Sequence, residues 1–168
     1  MRKFSINGGF SLLETLVAIS ILSLALSGIL SLFSMGVRSS VGASNQIKAF
    51  FLASEGIEFL RNKRDSNIIS GAIWSDGFDG CEDGCYADVY AEDSGITSCS
   101  GACPKLRFNS ELNRYDYGAG SAETVFTRRI VSERVNDREL KISSEIFWPQ
   151  GGIERSFSLV EHLFDLSF

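Results

Sequence analysis

From Thr15 to Val37 the chain has no ionisable side chain. This run of 23 residues is mostly leucine, isoleucine, valine and alanine, with Ser20, Ser23, Ser27, Ser31 and Ser34 and two glycines, Gly28 and Gly36, set into it. A helix needs about 20 apolar residues to cross the hydrocarbon of a bilayer, so the pattern predicts a membrane-spanning helix. The small residues along it would permit close approach of other helices. After Val37 the pattern turns amphipathic. Val41, Ile47, Phe50, Phe51, Ser54, Ile57 and Leu60 recur at helical spacing, while Lys48, Glu55, Glu58 and Arg61 fall mostly elsewhere. That spacing predicts a helix continuing to about Arg64 with one face covered. Arg61, Lys63 and Arg64 suit the negative end of a helix dipole.

Beyond a glycine-punctuated loop, Ser66 to Gly101, with Trp74, Phe78 and Tyr86 as apolar anchors, the period changes to two. Leu106 and Phe108 alternate with charge, and Asn113 to Gly118 reads as a turn and short strand. Three longer strands follow, Thr124–Val135, Leu140–Trp148 and Ile153–Leu163, divided by turns at Asn136–Glu139 and Pro149–Gly152. In the second of these, Leu140, Ile142, Ile146 and Trp148 share one face and Lys141 and Glu145 the other. The fold class is therefore α+β: a long amino-terminal helix whose outer half packs on an antiparallel sheet.

Length and charge narrow the function classes. The chain has 168 residues, so what remains beside the apolar helix supports one modest core. The net charge of −5, which would be −7 without Arg2 and Lys3, argues against non-specific DNA binding by the bulk of the protein. Those two cations lie on the amino side of the apolar run. The positive-inside rule then places the amino terminus in the cytoplasm and the chain after Arg38 outside.

The decisive stretch is Gly8-Gly9-Phe10-Ser11-Leu12-Leu13-Glu14. A secretory signal peptide carries its small-residue cleavage site after the apolar run, whereas here the glycine pair stands before it. Cutting at that point would leave the apolar helix on the mature protein. Glu14 is the anomaly, because a carboxylate within an apolar helix costs a few kcal/mol unless it has a partner or a wet surface. It either sits at headgroup depth on a simple anchor or pairs with a positive group on another subunit.

A basic leader, a glycine, a phenylalanine and a Ser-Leu-x-Glu run opening an apolar helix together resemble the amino terminus of type IV prepilins and of the pseudopilins of type II secretion and competence systems. The resemblance implies a leader over residues 1–9, a transmembrane and filament-core helix over 10–37 and an external pilin-like domain over 38–168. It further implies that a prepilin peptidase cuts after Gly9 and methylates the new amine on Phe10. Glu14, the fifth mature residue, would then pair with that amine as the subunit joins a filament. The partners implied are the membrane, the peptidase, other pilin or pseudopilin subunits and an assembly platform, with nucleic acid only for a competence pilin. The location implied is the bacterial plasma membrane, single-pass, with the carboxy-terminal domain periplasmic or extracellular. Phe51-Leu52-Ala53-Ser54-Glu55-Gly56-Ile57-Glu58 and the segments Phe126–Ile130, Ile146–Trp148 and Arg155–Leu159 are also similar to pilin-like proteins. One departure is the lack of a proline within the helix, since the only prolines are Pro104 and Pro149. Gly28 and Gly36 are then the candidates for loosening it.

Cys81, Cys85, Cys99 and Cys103 form two Cys-x-x-x-Cys pairs. Zinc sites prefer closer spacing, and an even count in an exported domain points to two disulfides. Three pairings are open, and bonds joining the two pairs are expected because they would staple a long loop. The loop is acidic, with Asp76, Asp79, Glu82, Asp83, Asp88, Glu92 and Asp93, but it lacks the alternating spacing of a calcium loop. A solvated loop with no metal and no cofactor is expected, calcium being the alternative.

An enzyme is the competing class. The single histidine, His162, has Ser156, Ser158 and Asp165 nearby in sequence, but neighbours in one alternating strand do not make a converging triad. No phosphate-binding glycine loop, zinc helix motif or nucleophile elbow appears. A lipid-anchored module would need a cysteine just after the leader, and none is there. The alternative to a filament subunit is a single-pass anchored binding domain that does not polymerise.

Overall fold

The computed structural model describes residues 11–91 and 95–166. Gly8, Gly9 and Phe10 lie outside the described residues, as do Glu92 and Asp93 of the acidic loop. Helix α1 runs from Leu12 to Ser70 and is followed by strands β1 (Cys85–Ala87), β2 (Ile96–Ser98), β3 (Lys105–Asn109), β4 (Arg114–Asp116), β5 (Ala122–Asn136), β6 (Glu139–Gln150) and β7 (Ile153–Phe164). The chain divides into two compact units, Met1–Ala43 and Ser44–Phe168.

In the second unit all seven strands form one antiparallel sheet, with β5 at its centre. β6 pairs along one edge of β5, from Thr127↔Phe147 to Asn136↔Glu139. The opposite edge is shared by β1, through Cys85↔Ile130, and β3, from Lys105↔Thr127 to Phe108↔Ala122. β7 extends the sheet beyond β6 over the whole length of both strands. The β6–β7 hairpin closes at Gln150↔Ile153 through Gly151 and Gly152, both at positive φ, the two-residue turn whose twist matches paired strands. This turn carries β6 past Trp148 to Gln150. Pro149 is accommodated because pairing with β5 has stopped at Phe147, so its missing N–H removes no ladder bond.

The three long strands fall where the alternation places them, each extended by one to three residues at its ends. β1 and β2 lie within the stretch read as loop, because three-residue strands carry too little alternation to be seen. The buried positions of β6 are Leu140, Ile142, Ser144, Ile146 and Trp148, the face expected.

The helix differs from expectation in two ways. It ends at Ser70, not near Arg64, so Arg61, Lys63 and Arg64 do not form its last turn. Asn67 is buried and its Nδ2 donates to the carbonyls of Trp74 and Asp76 at 3.3 and 2.8 Å. Gly71, at φ +73°, then reverses the chain, with Gly71 N–H bonded to Ile68 O and Ala72 N–H to Asn67 O. This is the Schellman arrangement that satisfies a helix end. Arg61 instead pairs with Glu58 and with Glu161 of β7.

Its covered face is also rotated from the one the large side chains suggest. The buried residues are Ala49, Leu52, Ala53, Gly56, Ile57, Leu60 and Asn67, whereas Val41, Ile47, Phe50 and Phe51 are exposed. The sheet comes close only where the helix is small. A Cβ on Gly56 would lie 2.8 Å from Ser144 Oγ and 3.2 Å from Arg128 Cδ. Gly56→Leu should therefore overpack the interface by about 1–3 kcal/mol and lower the Tm of the full-length chain by several degrees. An unchanged Tm would mean that the interface yields.

Two apolar clusters flank this contact. One gathers Ile57, Leu60, Trp74, Phe78, Cys81, Cys85, Ile130, Ile142 and Leu163, the other Ala49, Leu52, Leu106, Phe126, Ile146 and Trp148. Between helix and sheet lies Arg128, only 1% exposed. Its Nη1 donates to Leu52 O at 3.2 Å and to Glu55 Oε2 at 2.8 Å, and its Nη2 donates to Ala87 O at 2.6 Å. The side chain ties α1, β5 and β1 together.

Candidate functional site

The candidate site is the start of α1. Ser11 stands immediately before the first helical residue, and its Oγ accepts the Glu14 N–H at 3.2 Å. Its carbonyl accepts from Glu14 N–H at 3.0 Å and Thr15 N–H at 3.2 Å. A serine cap followed three residues later by glutamate is a strong helix-start signature, because it satisfies amides that have no intrahelical partner. The segment Ser11-Leu12-Leu13-Glu14 carries this capping signal in addition to the roles the sequence suggests for Glu14. Glu14 thus belongs to the first turn, where the positive end of the helix dipole favours an acid. Its side chain is exposed, and among the described residues no side chain pairs with it.

The apolar run behind Glu14 is suited to a medium without water. Every residue from Ser11 to Ser40 is exposed, and the most apolar stretch has a mean hydropathy of 2.4. Three of its hydroxyls bond back onto the helix backbone. Thr15 Oγ1 donates to Leu12 O at 2.9 Å, Ser20 Oγ to Leu16 O at 2.8 Å and Ser27 Oγ to Leu24 O at 2.8 Å. Such back-bonding meets the requirement that donors in hydrocarbon be satisfied internally. The helix also runs unbroken through Gly28 and Gly36, so neither glycine interrupts it. A Cβ at either would meet nothing within 4 Å.

In this chain a capped helix start with an acid in its first turn leads into an unbroken apolar helix. Residues 5–30 match the prokaryotic N-terminal methylation motif. This is the type IV prepilin-like signature, and it includes Gly8, Gly9, Phe10 and Glu14. The motif accounts for the amino-terminal part of the chain alone. No curated protein and no solved structure matches the chain.

The other residues singled out in the sequence lie apart from the motif. The cysteines bond within each Cys-x-x-x-Cys pair, Cys81 to Cys85 and Cys99 to Cys103, with Cα atoms 4.7 and 4.9 Å apart. The expectation of bonds between the pairs is corrected. Each pair spans a tight turn, closed by Gly84 N–H to Cys81 O in one case and by Ala102 N–H to Cys99 O in the other. Gly84 and Gly101 take the positive φ those turns need. A loop this short stabilises by about 2 kcal/mol in the chain-entropy account, less than the long staple would have given.

His162 is exposed and its Nδ1 lies 2.7 Å from Glu139 Oε1, while Asp165 meets Arg138. Ser156 and Ser158 lie farther along β7, opposite Phe147 and Glu145 of β6. In the acidic loop, Asp88 Oδ1 accepts the Tyr90 N–H. Among the described residues no three acidic, histidine or cysteine side chains gather as metal ligands.

Proposed function

We propose that this chain is a structural subunit, a minor pilin or pseudopilin, of a type IV pilus or type II secretion-like filament. The observation that carries the reading is the methylation motif at residues 5–30 running without a spacer into an exposed apolar helix whose first turn holds Glu14. A prepilin peptidase would cut after Gly9 and methylate Phe10, which makes the protein a substrate of that enzyme and not itself a catalyst. Arg2 and Lys3 support a cytoplasmic amino terminus, with the unit from Ser44 onward on the other side of a bacterial plasma membrane. No cofactor enters this role.

The test is the mass and amino-terminal sequence of the protein recovered from native membranes. A chain that begins at Phe10 and is heavier by one methyl group is the expected result. A chain that begins at Met1 in cells with active prepilin peptidase would replace this reading with that of an anchored domain that does not polymerise.

A further inference from the structure

The two disulfides occupy opposite environments. Cys81 and Cys85 are 1% and 0% exposed and lie in the apolar cluster with Leu60, Trp74, Phe78 and Ile130. Cys99 and Cys103 are partly exposed, and the three residues between them, Ser100 to Ala102, are exposed. Beside Cys103 opens a cavity of about 230 Å³, lined also by Gly101, Ala102, Thr127, Arg129, Phe147 and Glu154. Thiol–disulfide exchange begins with a thiolate reaching a sulfur, so access separates a labile bridge from an inert one.

We infer that Cys99–Cys103 is a reversible exchange site for a dithiol reductant, whereas Cys81–Cys85 is a permanent part of the core. One thiolate of the dithiol attacks Cys103 Sγ from the cavity side. The Cys99–Cys103 bond breaks, and Cys99 leaves as a thiolate that takes a proton from water. The second thiol of the reductant gives its proton to water and attacks the mixed disulfide, releasing Cys103 as a thiolate that is then protonated. Two electrons pass to the bridge, and the dithiol leaves as its own disulfide.

The surroundings allow this without unfolding. β1 and β2 are paired from Cys85↔Ser98 to Ala87↔Ile96 and Cys99 N–H is bonded to Gly84 O at 2.9 Å, contacts in which the sulfurs of the bridge take no part. What changes is the wall of the cavity formed by Gly101 to Cys103, so the redox state of the bridge sets the shape of the surface beside Arg129.

The test treats the full-length protein in detergent, under native conditions, with graded dithiothreitol. Free thiols are then trapped with iodoacetamide and assigned by peptide mass. Cys99 and Cys103 should be alkylated faster than Cys81 and Cys85 by on the order of tenfold or more, with circular dichroism unchanged and the bridge restored by oxidised dithiothreitol. Equal rates, earlier opening of Cys81–Cys85, or no alkylation of either pair before denaturation would overturn the inference. In the double variant Cys99→Ser with Cys103→Ser, the fast-alkylating class should vanish. Its persistence would locate the labile bridge in the core and refute the assignment.

Discussion

Arg128→Ala should cost the folded protein about 3–5 kcal/mol, the range for removing one partner of a buried ionic network. The loss has three sources. Leu52 O and Ala87 O lose a charged donor, Glu55 loses its ion-pair partner, and the largest fully buried side chain leaves a void between helix and sheet. Against a typical total of 5–15 kcal/mol, the variant should unfold at markedly lower denaturant and be cut by protease at ordinary temperature. Glu55→Gln separates the causes. The Glu55 carboxylate is 31% exposed, so water can replace part of what it loses, and this variant should fall by only about 1 kcal/mol. Denaturant midpoints of the two full-length variants would decide the matter. Equal losses would place the energy in the ion pair, and a negligible loss for Arg128→Ala would show that the helix docks by apolar contact alone.

Glu14→Ala should leave cleavage after Gly9 largely intact and cut incorporation into filaments on the order of 100-fold or more, since a carboxylate in an apolar helix represents a few kcal/mol when paired and each 1.4 kcal/mol is tenfold. The helix start should survive, because Ser11 still caps it. This separates loss of charge from loss of structure. Glu14→Gln keeps the shape and the capping geometry, and it should fail nearly as badly if charge is what counts. The readout is the ratio of processed subunit in sheared filaments to that in membranes. Normal incorporation of Glu14→Ala would remove Glu14 from the assembly mechanism and leave it as a helix-start residue only.

These two residues were not equally legible in the sequence. Glu14 stands out because a lone acid beside a long apolar run has no bland surroundings to hide in. Arg128 was passed over because a charged residue in a strand is ordinarily read as facing water. Its parity carried the missing signal, since Phe126, Arg128, Ile130 and Ser132 alternate on one face and all four are buried. The covered face of α1 was legible at Ile57 and Leu60 but not at its other positions, for a related reason. Large apolar residues attract attention as core, but Ala49, Leu52, Ala53, Gly56, Ile57 and Leu60 form the more regular stripe, and only small residues let a sheet approach so near. The long strands were readable because alternation over ten or more residues is hard to produce otherwise. The disulfide pairing was not readable, because it follows from turn geometry at Gly84 and Gly101 that spacing alone leaves open.

With Thr15, Ser20 and Ser27 bonded back onto its own carbonyls, the apolar part of α1 asks little of whichever apolar medium surrounds it. Lipid tails and neighbouring apolar helices offer it nearly the same environment, so there is no large hydrophobic gain on moving from one to the other. A polymer built on such helices would be close to thermodynamic balance with its membrane-dissolved subunits. If the chain polymerises as proposed, the balance between the two states would then turn on small differences, and the pairing of Glu14 near each helix start would be enough to tip it.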